Sequence, residues 1–79
     1  MMQNLSGKRV AILSTDGFEQ SELFEPKRAL EAAGATVHVV SLHAGEIKGW
    51  DEDNWGKSIF VDYLVGDVNA AEYDGLVLP

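Results

Sequence analysis

The 79-residue sequence contains no cysteine. A disulfide, a thiolate zinc site and a thiol nucleophile therefore cannot come from within these residues. A chain of this length forms at most one small domain and buries only about 60% of the surface that its unfolded form exposes. Any cysteine-dependent chemistry would need a group from outside the sequence.

Basic residues are also few, since six lysines and arginines stand against thirteen acids and the net charge is -7. This charge repels nucleic acid phosphates and anionic membrane surfaces. Long apolar runs are absent as well: the amino-terminal MMQNLSGKR has no apolar signal core, and no stretch approaches the roughly 18 apolar residues of a membrane span. We therefore expect no nucleic acid partner, no membrane partner and a cytoplasmic location.

Strand and helix patterns alternate along the first half of the chain. Residues 8–14, KRVAILS, are apolar on both faces, which predicts a parallel strand covered on each side. Residues 36–42, TVHVVSL, predict a second parallel strand, and the two are joined by a helix that Gly34 closes. The apolar stripe of that helix consists of Leu23, Pro26, Leu30 and Ala33.

The second half of the chain predicts a hairpin and one more strand. Within Gly45–Val65, the segments IKGW and KSIFVDYLV flank the polar turn DEDNWG, which indicates a hairpin inserted at the edge of the sheet. Residues 69–72, NAAE, predict one helical turn, and residues 74–79, DGLVLP, predict an apolar strand with no helix after it. Because a parallel strand needs cover on both faces, residues 1–79 are expected to be the amino-terminal half of a larger α/β domain.

Three glutamates precede a proline at the start of the predicted helix: Glu19, Glu22 and Glu25 come before Pro26. Glu19 and Glu22 are three residues apart and so share one side of a helical turn. They follow the first strand, and ligands of open parallel sheets bind outside the carboxyl ends of the strands. Pro26 crowds the carbonyl of Glu22, so that the helix should bend or start afresh there. In the alternative interpretation the acids only offset the helix dipole and Pro26 is the first helical residue.

Three segments together resemble the ThiJ/PfpI superfamily: VAILSTDGFEQSELFEP, LEAAGATVHVVSL and DVNAAEYDGLVLP. The most specific are GFEQSELFEP, with a glutamate four residues before the proline, and YDGLVLP near the chain end. The resemblance covers essentially the whole chain and is closest to the branch of PfpI-type intracellular proteases and general stress proteins. It implies a flavodoxin-like three-layer sandwich related to class I glutamine amidotransferases, of which this chain would be the amino-terminal half plus the hairpin.

The resemblance also implies a chemistry. In the family a carboxylate from the first helix approaches a cysteine on a strand-to-helix elbow; Glu22 matches that carboxylate, and Glu19 matches a second acid of the PfpI-type pattern. A carboxylic acid desolvated beside a thiolate is favoured in its protonated form and can donate a hydrogen bond to the sulfur. The elbow cysteine is not in this sequence, so the chain alone is expected to be inactive.

For the complete protein, the resemblance implies a protease, a deglycase, a glyoxalase-like enzyme or a chaperone. The substrate would be a peptide or a small carbonyl compound, the protein would form a homo-oligomer, and no cofactor or metal is expected. The competing hypothesis is a non-catalytic flavodoxin-like binding or interaction domain, in which the acids serve only as helix caps.

Several other residues are of types that can carry function. The turn DEDNWG loosely resembles a calcium loop, but Trp55 occupies a ligand position and the final glutamate is absent, so an exposed turn without metal is expected. Trp50 directly precedes this turn and Trp55 lies within it, and the two either pack on the hairpin or contact a partner. His38 and His43 are expected to be structural or solvated.

Overall fold

The computed structural model describes residues 4–79, so that residues 1–3 of the predicted domain lie outside the described range. Its elements in chain order are β1 (Arg9–Leu13), α1 (Gln20–Ala32), β2 (Thr36–Ser41), β3 (Glu46–Asp51), β4 (Asn54–Phe60), β5 (Tyr63–Leu64), two 3-10 turns (Val65–Asp67 and Ala70–Glu72) and β6 (Gly75–Val77). Four strands form one sheet in the order β5-β2-β1-β6, and β3 with β4 forms a second. This is the predicted α/β arrangement.

The central strand of the four-stranded sheet is β1, which is paired in parallel on both edges. Its pairing with β2 runs from Arg9 opposite Thr36 to Leu13 opposite Val40. On its other edge β1 pairs with the whole of β6. From β1 the chain therefore runs through α1 to β2 on one edge of β1, and it later returns to the sheet as β6 on the opposite edge. The strand order therefore reverses at β1, and open parallel sheets bind ligands outside the carboxyl ends of the strands at such a reversal.

The hydrophobic core lies between α1 and one face of this sheet. Ile12 of β1 and Val39 of β2 are fully buried there against Leu23 of α1. Since side chains alternate between the faces of a strand, the next residues along each strand point away from α1. The core cluster consists of Val10, Ile12, Phe18, Leu23, Ala35, Val37, Val39 and Ile47.

The opposite face of the sheet lines an open, mostly apolar groove of about 520 Å³. Ala11 and Leu13 form its floor together with Val40 and Leu76, and the segment that follows β5 supplies its wall. Leu76 remains 60% exposed. The groove agrees with the expectation that one apolar face of the sheet needs further cover.

The helix α1 runs without interruption through Pro26 to Ala32. Pro26 is therefore not the first helical residue, as one interpretation had it, and the helix does not start afresh at that point. Because proline has no amide hydrogen, the carbonyl of Glu22 loses its usual helical donor. The helix tolerates this loss while it packs its buried Leu23 on the sheet.

The carboxyl end of α1 is closed by Gly34, as predicted. Gly34 has φ +102° and follows the C-cap Ala33. Its amide donates to the Glu31 carbonyl at 3.0 Å, and the Ala35 amide donates to the Leu30 carbonyl at 3.0 Å. These two bonds form a Schellman motif, which satisfies carbonyls at the end of the helix and turns the chain into β2.

The predicted hairpin is present as β3 and β4, which are joined at the pair Asp51 and Asn54 by the two residues between them. The turn is exposed, and Glu52 takes the left-handed conformation with φ +58°. The hairpin forms a separate antiparallel sheet and packs on the connection between β1 and α1. Tyr63 and Leu64, which fell within the predicted insertion, instead join the parallel sheet beside β2.

Replacing Gly34 with alanine should destabilise the protein. The left-handed conformation costs an L-residue roughly 1–2 kcal/mol, and an added Cβ would lie 3.1 Å from the Ser6 Oγ. Urea unfolding should show a lower midpoint with an unchanged slope. Gly66→Ala is the matched control, since an added Cβ there meets no atom within 4 Å. Equal midpoints for the two variants would contradict the role of Gly34.

Candidate functional site

The two predicted site residues lie at the amino-terminal end of α1, directly after the connection from the carboxyl end of β1. Glu19 is the N-cap residue, and Glu22 lies in the first turn. The topology therefore places both acids beside the carboxyl end of β1, where the strand order reverses. The two carboxylates differ in their hydrogen-bond partners.

Glu19 caps the helix. Its backbone is extended, with φ -70° and ψ 123°, and its carboxylate accepts hydrogen bonds from the Ser21 hydroxyl at 2.5 Å and from the Glu22 amide at 2.9 Å. The Ser21 hydrogen bond, followed by that of the Glu22 amide, holds the pKa of Glu19 below its ordinary value. An ionised carboxylate at this position also faces the positive end of the helix dipole. For Glu19 the capping interpretation therefore describes what the structure shows.

Glu25 is also engaged, because its carboxylate forms an ion pair with Arg28 one turn further along the exposed side of α1. The Glu22 side chain is exposed, and within residues 4–79 no side-chain hydrogen bond or ion pair engages its carboxylate. Of the three acids before Pro26, Glu22 alone is thus available to a group from outside. Its position four residues before the proline was the sequence signal for this residue.

Backbone hydrogen bonds fasten the hairpin to the connection that carries these acids. The Gly17 amide donates to the Lys48 carbonyl at 2.8 Å, and the Trp50 amide donates to the Phe18 carbonyl at 2.6 Å. Glu19 itself forms a parallel bridge with Trp50. The connection is therefore paired like a short extra strand on β3, which fixes where α1 begins.

Two side chains that the sequence analysis did not select reinforce this attachment. The Asp16 carboxylate accepts from the Lys48 amide at 2.8 Å, and the Gln20 side-chain carbonyl accepts from the Lys57 amide at 2.6 Å. A Cβ at Gly56 would overlap the Gln20 oxygen, so glycine allows this approach. Polar residues flanking a helix start are too common in sequences to have revealed these two contacts.

The two histidines contact groups other than Glu19 and Glu22. Half-buried His38 is on the groove face of β2, where its Nδ1 is 2.9 Å from the Tyr73 hydroxyl and its ring forms a T-shaped pair with the Tyr63 ring. His43 is exposed, with its Nε2 4.0 Å from an Asp16 carboxylate oxygen. Among residues 4–79, no group of three or more acids and histidines is placed to hold a metal ion.

The sequence model of the DJ-1/PfpI family matches residues 8–79. This chain belongs to the DJ-1/PfpI family. The match begins just before β1 and includes every helix and strand described above. The resemblance noted from GFEQSELFEP and YDGLVLP is therefore confirmed.

Relatives in the DJ-1/PfpI family carry several functional names. The chain is 39% identical over 71 residues to a deglycase of Thermococcus kodakarensis, covering 90% of this chain and 40% of the relative. It is 37% identical over 73 residues to YraA of Bacillus subtilis, provisionally named a cysteine protease, covering 91% and 41%. General stress protein 18 of Bacillus subtilis is 34% identical over 74 residues, covering 92% and 41%. The chain thus spans about two-fifths of the length of these relatives.

A solved structure of the family confirms the fold class. The crystal structure of a ThiJ/PfpI domain protein from Brachyspira murdochii superposes with a TM-score of 0.76 at 29% identity, covering 92% of this chain and 40% of the other. The flavodoxin-like α/β prediction, with its parallel sheet and additional hairpin, is therefore confirmed. No helix among residues 4–79 is both long enough and apolar enough to cross a membrane.

The capping role of Glu19 predicts a pH-dependent effect of Glu19→Gln. Because the folded-state pKa of Glu19 is lowered, its ionised form contributes stability above the unfolded value of about 4.3, and this contribution is lost as the pH falls through the folded value. Glu19→Gln should therefore lower the unfolding free energy most near neutral pH and least at about pH 2.5. Urea titrations at both pH values measure the difference.

The exposed Glu46→Gln is the control for the loss of one carboxylate from the surface. A Glu19→Gln deficit that is equally large at the acidic pH would show that the hydrogen bonds of the ionised carboxylate are not its cause.

Proposed function

We propose that this chain forms the amino-terminal part of a cysteine-dependent hydrolase or stress-response protein, with a protease, deglycase or glyoxalase-like activity. Glu22 supports the nucleophile, and Glu19 caps the helix that carries Glu22. The observation that supports this proposal is that the three acids have different contacts. Glu19 caps the helix, Glu25 pairs with Arg28, and the exposed Glu22 carboxylate remains available to contact a nucleophile. The relatives named as deglycases, as a cysteine protease and as a stress protein support this class.

In this proposal the nucleophile comes from polypeptide outside the 79 residues, either in the same chain or in a second one. The apolar groove formed by Ala11, Leu13 and Leu76 supports such an addition, because a covering segment would bury this face as α1 buries the other. The covering layer would complete the three-layer sandwich. It could bring its own polar groups to the carboxyl ends of β1 and β6, next to the start of α1.

The proposed chemistry is nucleophilic attack on a peptide or a small carbonyl compound. A thiolate beside Glu22 would favour the protonated carboxyl group, which then donates a hydrogen bond to the sulfur. This bond stabilises the thiolate and so keeps the nucleophile ionised near neutral pH. The proposal extends to a cytoplasmic homo-oligomer that takes no nucleic acid.

A graft tests the role of Glu22. Residues 8–79 replace the matching segment of the Thermococcus kodakarensis deglycase, and the alkylation rate of the cysteine that the family resemblance places on the elbow is followed against pH. A carboxylic O–H donates more strongly than an amide N–H, so Glu22→Gln should raise the midpoint of the profile by about one pKa unit or less. Glu25→Gln, the control on the same helix, should leave the profile unchanged.

The direction in which Glu22→Gln shifts the midpoint of the alkylation profile distinguishes a hydrogen-bond donor from an ionised carboxylate. A lower midpoint in Glu22→Gln would mean that an ionised carboxylate opposes the thiolate, which contradicts the proposed hydrogen-bond donor. Identical profiles for the graft and its Glu22→Gln variant would favour the hypothesis in which all three acids serve only as helix caps. The non-catalytic binding domain, which the observed Glu19 cap favours, would then be the better hypothesis.

The 79-residue chain by itself should show no peptidase, deglycase or glyoxalase turnover, because it contains no cysteine. Hydrolysis of a peptide and consumption of a small dicarbonyl compound are measured beside the active graft as the positive control. Turnover by the 79-residue chain that survives repurification would contradict the cysteine-dependent mechanism.

A further inference from the structure

The first turn of α1 is tied to β4 by a side chain. Gln20 is the first residue of the helix, and its side-chain carbonyl accepts a hydrogen bond from the Lys57 amide of β4 at 2.6 Å. Gly56 leaves room for this approach, because a Cβ there would overlap the Gln20 oxygen. The Lys57 ammonium lies 5.8 Å from the centroid of the Phe24 ring. The strand β4 therefore contacts α1 on two successive turns.

The first turn is also less firmly joined to the rest of α1 than in an ordinary helix. Pro26 has no amide hydrogen, so that the Glu22 carbonyl lacks its usual helical donor. The hydrogen bonds of the Glu19 carboxylate do not replace it, because they come from Ser21 and Glu22 within the same turn. Within residues 4–79, Gln20 alone among the side chains of this turn forms a hydrogen bond to another element.

Gln20 and Glu22 lie on nearly opposite sides of α1. Successive residues of a helix are rotated by about 100°, which separates these two by about 200°. Side chains extend a helix to a diameter of about 10–12 Å, so a rotation of the first turn by about 10° displaces the end of a side chain by about 1 Å. Hydrogen bonds weaken steeply when distance and angle change. Such a displacement is therefore enough to weaken a bond from Glu22 to a sulfur.

The hairpin is a well-packed support for this tie. Trp50 and Trp55 pack edge to face across its two strands, with ring centroids 5.2 Å apart at an interplanar angle of 84°. Ile47 is fully buried, and the Phe18 ring lies so close to Gly49 that a Cβ there would overlap it. The position of the donor on β4 is therefore set by packing that does not depend on the first turn of α1.

We propose that Gln20 is a positioning residue for Glu22. Its hydrogen bond to β4 sets the orientation of the first turn, which Pro26 partly uncouples from the rest of α1. This role rests on the proposed function, in which the Glu22 carboxyl group donates a hydrogen bond to a thiolate. It makes the hairpin part of the machinery that holds this donor, although β4 itself does not contact Glu22.

Gln20→Met in the graft tests this role, because methionine keeps the length of the side chain but is only a weak acceptor. Without the tie to β4 the Glu22 donor should lie farther from the sulfur. The midpoint of the alkylation profile should then rise by about one pKa unit or less, and by no more than Glu22→Gln raises it.

Two further variants address the same contact from the side of β4. Gly56→Ala should raise the alkylation midpoint as Gln20→Met does, because its Cβ displaces the Gln20 oxygen. Lys57→Met is the matched control. It removes the ammonium near the Phe24 ring but keeps the backbone amide that donates to Gln20, and it should leave the midpoint unchanged.

A double variant separates positioning from a general effect on the fold. If Gln20 acts through Glu22, then adding Gln20→Met to Glu22→Gln should not raise the midpoint further. A merely structural role would lower the urea midpoint of the graft and leave the alkylation midpoint where it is. That result would overturn the positioning role, and so would an equal Gln20→Met shift with and without the Glu22 carboxyl group.

Crystal structures of the graft and its Gln20→Met variant measure the position of Glu22 directly. The carboxyl group should be displaced by about 1 Å relative to the elbow cysteine. This displacement, combined with no effect of Glu22→Gln on the alkylation profile, would support the positioning role and contradict the proposed hydrogen-bond donor. An unmoved first turn would overturn the positioning role even if Glu22→Gln shifts the profile.

Discussion

The parallel pairing of β1 on both of its edges is the constraint on which the rest of the structure depends. With β2 on one side and β6 on the other, the chain runs from β1 through α1 to one edge of β1 and later crosses to the opposite edge. The start of α1 is thereby brought to the carboxyl end of the central strand, and the acids come with it. Ile12, which is fully buried at the middle of β1, anchors this arrangement against α1.

The hairpin is the second determinant of the site, because it holds the short connection between β1 and α1. Irregular backbone near a sheet end needs hydrogen-bond partners, and β3 supplies them to Gly17 and Phe18. Asp16 and Gln20 add side-chain acceptors for amides of the hairpin. The start of α1 is consequently fixed by contacts among the connection before it, β3 and β4, and the two strands are distant from the connection in sequence. Glu19 and Glu22, by contrast, are close together in the chain.

The two faces of the sheet are unequally covered. One packs on α1 with several fully buried side chains, whereas the other lines the groove and leaves Leu76 largely exposed. Such an imbalance matters in a small domain, where each large apolar side chain contributes about 1.5–3 kcal/mol when fully buried.

Local patterns in the sequence determined most of the elements. The apolar run of β1, the β-branched run of β2, the closing Gly34 and the polar turn between β3 and β4 each carry their signal within a few residues. The family also followed from the sequence, since GFEQSELFEP combines a turn, an acid and a proline at a fixed spacing. Such features are readable because backbone conformation and hydrogen bonding to near neighbours decide them.

Only the tertiary structure separated the roles of the three glutamates and attached the hairpin to the helix start. Glu19, Glu22 and Glu25 look alike in sequence. The contacts that distinguish them, with the Ser21 hydroxyl, the Glu22 amide and Arg28, join near neighbours, but which acid makes which contact depends on where α1 begins, and the hairpin fixes that point. The contacts of Gln20 with Lys57 and of Asp16 with Lys48 join residues more than thirty positions apart. No local pattern encodes such pairs, because they form only when the packing of β1, α1 and the hairpin brings their backbones together.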